Sequence, residues 1–239
     1  MLDRTRIILV EPSHPGNIGA TARAMKNMEL SSLYLVSPER FPHQEATVRA
    51  AGADEILAGA TVVSSLAEAI GDCHLVFGTS ARSRSLPWPN CTPREAAGLA
   101  VQSNEQSVAV VFGRESSGLT NEELALCHYH VHIPTSESFS SLNLAAAVQV
   151  IVYEFFMASQ ATALIFNDLD DMPATAGQIA GFLEQFESLL TDIQFLDPKH
   201  PKLLMQRLQR LFNRARLEEK EIHILRGILS TLEKRLLVS

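Results

Sequence analysis

Short, continuously apolar segments alternate with helix-like stretches over the first 158 residues of this 239-residue chain. The apolar segments cover residues 7–11, 33–36, 75–79, 108–112 and 131–133, and Gly, Pro or Ser follows each one. Strands that are apolar throughout are typical of parallel sheets covered by helices on both faces. The sequence therefore predicts an α/β domain. Ligands of such sheets bind beyond the carboxyl ends of the strands, so the loops at these ends are the candidate site.

The chain after the sheet changes character twice. Residues 141–158 predict a helix that is apolar around most of its circumference, which requires burial in the domain core or in a subunit interface. Residues 160–176 mix small, acidic, Pro and Gly residues, as linkers do. We therefore expect a sheet domain over 1–160, an acidic linker with the first helix of an extension over 161–198, and a basic helical module over 199–239.

Charge is distributed unevenly along the chain, whose net charge is −7. Residues 1–166 carry −6, residues 167–198 carry −7 without a single basic residue, and residues 199–239 carry +6. A basic segment behind an acidic connector favours a polyanionic partner. The alternative, a solvated helix surface, explains the charges equally well at this point.

The basic segment has a helical pattern. Leu204, Leu208, Leu211 and Ala215 form one predicted apolar stripe, and residues 222–236 repeat such a stripe. A neighbouring stripe consists of Arg207, Arg210 and Arg214. We expect one face of this module to be packed and the other to be basic.

Cysteine usage and hydropathy indicate a protein of the cytoplasm without membrane segments. The three cysteines are far apart and lack CxxC spacing, which favours reduced thiols. No apolar run approaches the ~18–20 residues that span a membrane. The first apolar run breaks at Glu11 with no cleavage site after it, so it predicts a strand and not an export signal.

Three loops at predicted strand ends carry candidate site residues. In the first, Gly16 and Gly19 flank Asn17 at the start of a predicted helix, which also presents Arg23 to a phosphate or carboxylate. In the second, glycines at 113 and 118 bracket Arg114 and Glu115. Each loop alone is also explained by an ordinary turn with a surface ion pair.

The third loop, at residues 136–143, precedes the apolar helix. Ser140 or Ser141 is a plausible N-cap of that helix. Asn143 is not needed for capping, and a buried side-chain amide there needs hydrogen-bond partners, of which a ligand is one candidate.

Together these loops resemble the three motifs of the SPOUT superfamily of RNA methyltransferases, in its SpoU/TrmH branch of ribose 2′-O-methylating enzymes. The motifs are N-I-G-A-T-A-R at 17–23, F-G-R-E-S-S-G-L at 112–119 and S-L-N-L-A-A-A at 141–147. The segment T-S-A-R-S-R-S-L-P-W at 79–88, the segment N-E-E-L-A-L-C-H-Y-H at 121–130 and the basic tail are similar to a closer group, the TrmJ-type tRNA (cytidine/uridine-32-2′-O)-methyltransferases. Arg114 departs from the wider branch and suits this group.

The resemblance implies a SPOUT-type parallel sheet with a C-terminal trefoil knot, a homodimer, S-adenosylmethionine as cofactor and tRNA as substrate. It implies cofactor contacts from Thr79, Ser80, Ala81, Gly113, Ile133, Ser141, Leu142 and Asn143. It implies a catalytic group made of Arg23, Asn17, Glu115, Ser141 and Asn143. We expect RNA contacts from Arg82, Arg84, Arg114, Lys202, Arg207, Arg210 and Arg214.

Arg23 has the central role in the implied chemistry. A guanidinium with a pKa above ~12 is a poor formal base. We therefore interpret Arg23 as holding the target phosphate and stabilising the developing alkoxide, with transient deprotonation as the alternative. Removal of Arg23 is expected to abolish methyl transfer and spare cofactor binding.

The residues argue against three other functions. A non-catalytic RNA-binding paralogue would lose the polar motif residues, and all of them are present here. His128, His130 and His132 alternate along a predicted strand, but no Cys or carboxylate accompanies them at ligand spacing, so no metal is expected. A nucleotide-dependent dehydrogenase would carry GxGxxG at the first strand–helix turn, and this chain does not.

Overall fold

A computed structural model describes residues 1–80, 89–103, 106–160, 172–197 and 203–236. The chain forms two compact units, Met1–Phe166 and Asn167–Ser239. The first contains the predicted parallel sheet with its helices and the second is entirely helical where it is described, so the predicted α/β fold class is confirmed. None of the described helices is long and apolar enough to cross a membrane.

The sheet of the first unit has seven strands in the order β3-β2-β1-β6-β4-β7-β5, and every pair is parallel. Its strands are β1 (Thr5–Val10), β2 (Ser32–Val36), β3 (Thr61–Val63), β4 (Leu75–Thr79), β5 (Asn90–Cys91), β6 (Val108–Phe112) and β7 (Tyr129–Val131). The edge strands β3 and β5 were not predicted, because three and two residues are too short to give a recognisable pattern. The last predicted strand lies two residues earlier than expected.

Ten α-helices complete the described chain. Those of the first unit are α1 (Pro15–Asn27), α2 (Gln44–Ala50), α3 (Asp54–Ala58), α4 (Leu66–Ile70), α5 (Pro93–Gln102), α6 (Asn121–Ala125) and α7 (Leu144–Gln160). Those of the second unit are α8 (Ala176–Asp192), α9 (Leu204–Ala215) and α10 (Glu219–Leu236).

The central strands and α7 form the core of the first unit. Ile7, Phe77 and Val110 are fully buried, as are Val148 and Ile151 on one face of α7. The opposite face of α7 leaves apolar side chains in solvent, with Val150, Tyr153 and Met157 38%, 46% and 47% exposed. The predicted burial of α7 on several sides is therefore incomplete within one chain.

The helices of the second unit share a small core. Ile179 and Phe182 of α8 pack with Ile222 and Leu229 of α10, and the rings of Phe182 and Phe212 meet edge to face at 4.8 Å. The predicted apolar stripe of α9 is wrong in part. Leu211 and Ala215 are exposed, whereas Leu208 and Phe212 pack against this core. The buried face of α9 is therefore shifted by one residue, from Leu211 to Phe212, relative to the stripe expected from spacing alone.

Candidate active site

A cavity opens at the carboxyl ends of β4, β6 and β7, the edge where the parallel topology places ligands. Six of the residues predicted to contact the cofactor line it: Thr79, Ser80, Gly113, Ile133, Ser141 and Leu142. Asn143 is not part of the lining, and Ala81 lies outside the described residues. The structure thus brings residues that were predicted in three separate loops together in one cavity.

Glu115 joins the second loop to the first. Its Oε1 accepts hydrogen bonds from Asn17 Nδ2 at 2.9 Å and from the backbone N–H of His14 at 3.2 Å. Its Oε2 accepts from the Ser13 hydroxyl at 3.0 Å and from the Ser13 N–H at 3.1 Å. Four donors converge on one carboxylate, so Glu115 fixes the loop at 13–17 over a sequence separation of about one hundred residues.

The protonation of Glu115 follows from these contacts. Burial raises the pKa of this carboxyl group, but the hydrogen bonds from Asn17, Ser13 and His14 outweigh burial and leave the pKa below its ordinary value. Glu115 is therefore ionised at neutral pH with its lone pairs occupied. This arrangement suits a positioning role better than proton abstraction.

Asn143 joins the third loop to the first. Its Nδ2 donates to Asn17 Oδ1 at 3.0 Å, and its Oδ1 accepts from the N–H groups of Ala145 at 3.0 Å and Ala146 at 3.3 Å. Asn143 thus caps α7, and the expectation that a serine does so is wrong. The expected burial of this amide is also wrong, because its residue is exposed.

Arg114 bridges two carboxylates next to the cavity. Its guanidinium donates to both oxygens of Glu11, at 2.6 and 2.8 Å, and to both oxygens of Glu123, at 3.0 Å each. The hydrogen bonds with Glu11 and Glu123 raise the pKa of Arg114 above its ordinary value, and the one with Arg114 lowers the pKa of Glu11. The side chain is only 21% exposed. These bonds pair Arg114 with two carboxylates of the same chain, and they do not support the predicted RNA contact.

Gly113 allows the second loop to fold back on itself. A Cβ atom at Gly113 would overlap the backbone of Gly118 and Leu119. Gly118 itself has a φ of +71°, which a side chain would strain. This close approach therefore requires glycine at 113, and residues 112–119 together line one side of the cavity.

Arg23 lies on the exposed side of α1. Within the described part of the chain it forms no hydrogen bond or ion pair, and it is not among the residues lining the cavity. Of the predicted catalytic group, Asn17, Glu115 and Asn143 are connected directly, and Ser141 lines the cavity. Arg23 is carried by the same helix as Asn17 and is available to a substrate.

The three histidines do not form a cluster. His128 Nδ1 accepts from the Val76 N–H at 3.0 Å, His130 Nε2 lies 3.3 Å from the Leu124 carbonyl, and His132 Nδ1 lies 3.3 Å from the Ser80 carbonyl. Among the described residues, no group of three or more potential metal ligands is present.

The candidate RNA-binding residues of the second unit differ in exposure. Arg207 and Arg214 are exposed on α9, and Arg210 is half-buried. Arg82, Arg84 and Lys202 lie outside the described residues.

Three site residues were missed by the sequence-based prediction: Glu11, Ser13 and Glu123. Glu11 has a left-handed backbone with a φ of +45°, which turns the chain sharply after β1. No sequence pattern indicates this turn. Glu123 had a usable signal, since Thr120 and Glu123 form the capping box of α6 and so fix the glutamate beside the second loop.

The chain was compared with known proteins. Residues 4–153 match the SpoU rRNA Methylase family, and residues 177–238 match the C-terminal domain of the tRNA methyltransferase TrmJ. The tRNA (cytidine/uridine/adenosine-2′-O-)-methyltransferase TrmJ of Pseudomonas aeruginosa is 49% identical, over 98% of this chain and 95% of that protein. The tRNA (cytidine/uridine-2′-O-)-methyltransferase TrmJ of Photorhabdus laumondii is 50% identical, over 98% of both chains.

A solved structure agrees with these relatives. The crystal structure of TrmJ from Z. mobilis ZM4 is 35% identical and superimposes with a TM-score of 0.85, covering 96% of this chain and 99% of that one. The resemblance inferred from the three motifs is therefore confirmed, and the chain belongs to the TrmJ group of the SpoU methylase family.

Proposed function

We propose that this protein methylates the ribose 2′-hydroxyl of tRNA with S-adenosylmethionine, at the cytidine or uridine in position 32. The observation that carries the proposal is the chain of hydrogen bonds from Glu115 through Asn17 to Asn143, which ties the three motif loops together beside one cavity. The relatives act on tRNA ribose by name. Because tRNA is the substrate, we expect the protein in the cytoplasm.

The cavity suits an adenosine-containing ligand. Its lining combines apolar side chains, such as Ile133 and Leu144, with small residues at 79–80 and 116–118 and with Arg114 and Glu115. An apolar surface accommodates a base, and polar groups of the lining would read its polar edge and a carboxylate. S-adenosylmethionine supplies the methyl group when bound here.

The ribose is held by the residues around Asn17. Positioning a 2′-hydroxyl in line with the methyl group can contribute ~7–11 kcal/mol in favourable cases. Glu115 and Asn143 fix Asn17, so α1 is presented in one orientation. Arg23 on this helix holds the target phosphate and stabilises the alkoxide that develops as the 2′-hydroxyl passes its proton to solvent water. Ser141, in the cavity lining, positions the hydroxyl.

Two further features extend the proposal to assembly and to RNA affinity. The exposed apolar row of α7, made of Val150, Tyr153 and Met157, is a surface that a homodimer would cover. Arg207 and Arg214 on α9 supply exposed positive charge for RNA phosphates. The trefoil knot implied by the family resemblance stays a prediction.

The direct test is to incubate the purified protein with labelled S-adenosylmethionine and unmodified tRNA, and then to map the 2′-O-methyl nucleotide by mass spectrometry. We expect one labelled site, at nucleotide 32. A tRNA with 2′-deoxyribose at position 32 serves as the matched control and should accept no label. Label at another nucleotide would contradict the position. RNA binding without any transfer would support the non-catalytic alternative.

A further inference from the structure

Among the exposed large apolar residues of the described chain, Phe139 is the most exposed. Its side chain is 79% exposed, compared with 68% for Phe195 and 67% for Val48. A phenylalanine ring in solvent lacks the stabilisation that burial of its apolar surface would give. The ring is therefore available to a partner that the isolated chain lacks.

The turn that carries Phe139 is held by local hydrogen bonds. The Phe139 N–H donates to the Ser136 carbonyl at 3.1 Å, and the two residues form an isolated antiparallel bridge. Ser136 and Ser138 are joined through their hydroxyls at 2.9 Å, and the Thr135 hydroxyl donates to the Ser140 carbonyl at 3.3 Å. The ring is thus presented by an ordered turn.

This turn is adjacent to the reaction site. The next residues along the chain, Ser140 and Ser141, line the cavity, and Phe139 itself does not. Under the proposed function the target ribose approaches this cavity, so the base attached to it would lie beside the neighbouring turn. The only charged side chain in the turn is Glu137, which repels phosphate. The turn is therefore suited to contact with the neutral face of a base and unsuited to gripping the backbone.

We propose that Phe139 stacks on a base of the bound tRNA, at the target nucleotide or its direct neighbour, and so positions the ribose for methyl transfer. This inference rests on the proposed function. Single-stranded bases are commonly recognised by stacking on aromatic side chains, and tRNA position 32 lies in a single-stranded loop. Stacking tolerates any base, so Phe139 would contribute affinity without selecting cytidine over uridine.

The test measures tRNA methylation kinetics, cofactor affinity and oligomeric state for wild type, Phe139→Ala, Phe139→Leu and Phe139→Trp. Leucine keeps an apolar contact but has no aromatic face, whereas tryptophan keeps the face. We expect the alanine and leucine variants to raise the KM for tRNA about 5- to 150-fold, and the tryptophan variant to stay near wild type. Cofactor affinity and oligomeric state should not change. Val48→Ala truncates another exposed apolar side chain, on α2, and should leave the KM unchanged.

Four results would overturn the proposal: an unchanged KM in Phe139→Ala, full rescue by leucine, dissociation of the oligomer, or a matching loss of cofactor affinity. Rescue by leucine with altered assembly would assign Phe139 to contact with a second copy of the chain. An inactive wild-type protein would instead refute the proposed function, so the two failures can be distinguished.

Discussion

Asn143 Nδ2 donates a hydrogen bond to Asn17 Oδ1 at 3.0 Å, joining residues that are 126 positions apart in the chain. Each amide is completed by a further contact: Asn17 donates to Glu115, and Asn143 accepts from the first N–H groups of α7. The amides are thus oriented in one way only. Because Asn17 lies in the first turn of α1 and Asn143 caps α7, the beginnings of the two helices are held together.

Asn17→Asp is predicted to weaken this link by charge repulsion. It places a carboxylate next to Glu115 Oε1, 2.9 Å from the present amide nitrogen, and should lower the free energy of unfolding by about 1–3 kcal/mol at neutral pH. The deficit should shrink in acid, because the crowded pair binds a proton at higher pH than the wild-type Glu115, whose pKa is lowered. Urea unfolding at pH 7.5 and pH 5 measures both values.

The matched control for this change is Asn27→Asp, on the exposed end of the same helix. It should have little effect at either pH. Parallel pH profiles for wild type and Asn17→Asp would show that the repulsion is absent.

Gly113→Ala should weaken cofactor binding. The added methyl group overlaps the backbone of Gly118 and Leu119, so the loop that lines the cavity must open. We expect cofactor affinity to fall at least about tenfold, which corresponds to 1.4 kcal/mol. Gly98→Ala in α5 is the control, since nothing lies within 4 Å of the added atom. The affinities are measured by titration calorimetry with S-adenosylmethionine. Equal affinities of the two variants would contradict the prediction.

Arg114→Lys separates the structural role of this residue from the RNA contact expected from sequence. Lysine keeps the charge but cannot donate in pairs to both Glu11 and Glu123. Thermal stability and cofactor affinity should therefore fall, with the salt dependence of tRNA binding unchanged. If Arg114 contacts phosphate, its replacement by alanine should instead reduce the salt slope by about 1. Arg94→Lys, in an exposed pair with Glu154, is the control and should change neither thermal stability nor cofactor affinity.

The exposed arginines of α9 should act on RNA affinity alone. Arg207→Ala and Arg214→Ala together are expected to weaken tRNA binding and to lower the salt slope by about 2, with cofactor affinity unchanged. Point changes are preferable to truncation at residue 199, because α8 shares a core with α9 and α10. Arg49→Ala is the control, because it removes one exposed positive charge from α2 instead of α9. Equal effects of Arg49→Ala and Arg207→Ala would refute a specific RNA surface.

Much of this architecture could be predicted from the sequence, because the central strands are apolar throughout and end in motif loops. The cavity residues Thr79, Gly113 and Ser141 were predicted from the resemblance of these loops to the family's motifs. The contacts between loops could not be predicted, since they depend on side-chain directions. Asn143 was expected to be buried, yet it caps α7 and reaches Asn17.

The role of Arg114 shows the same limit in another way. The RNA contact expected of Arg114 stays a prediction. Its hydrogen-bond partners in the structure, Glu11 and Glu123, lie 103 and 9 residues away, and one of them depends on a left-handed turn that no local pattern encodes. Similarly, α9 presents Phe212 to its core, and spacing alone favoured Leu211.

Arg23, displayed by a helix fixed through Asn17, is proposed to stabilise the alkoxide that develops during ribose methylation. The measurement that decides this is the single-turnover rate of methyl transfer to tRNA in Arg23→Ala, with bound cofactor verified by calorimetry. We predict cofactor affinity within about twofold of wild type and a rate at least about 10²-fold lower, the usual cost of one lost transition-state donor. A rate close to that of wild type would contradict the account.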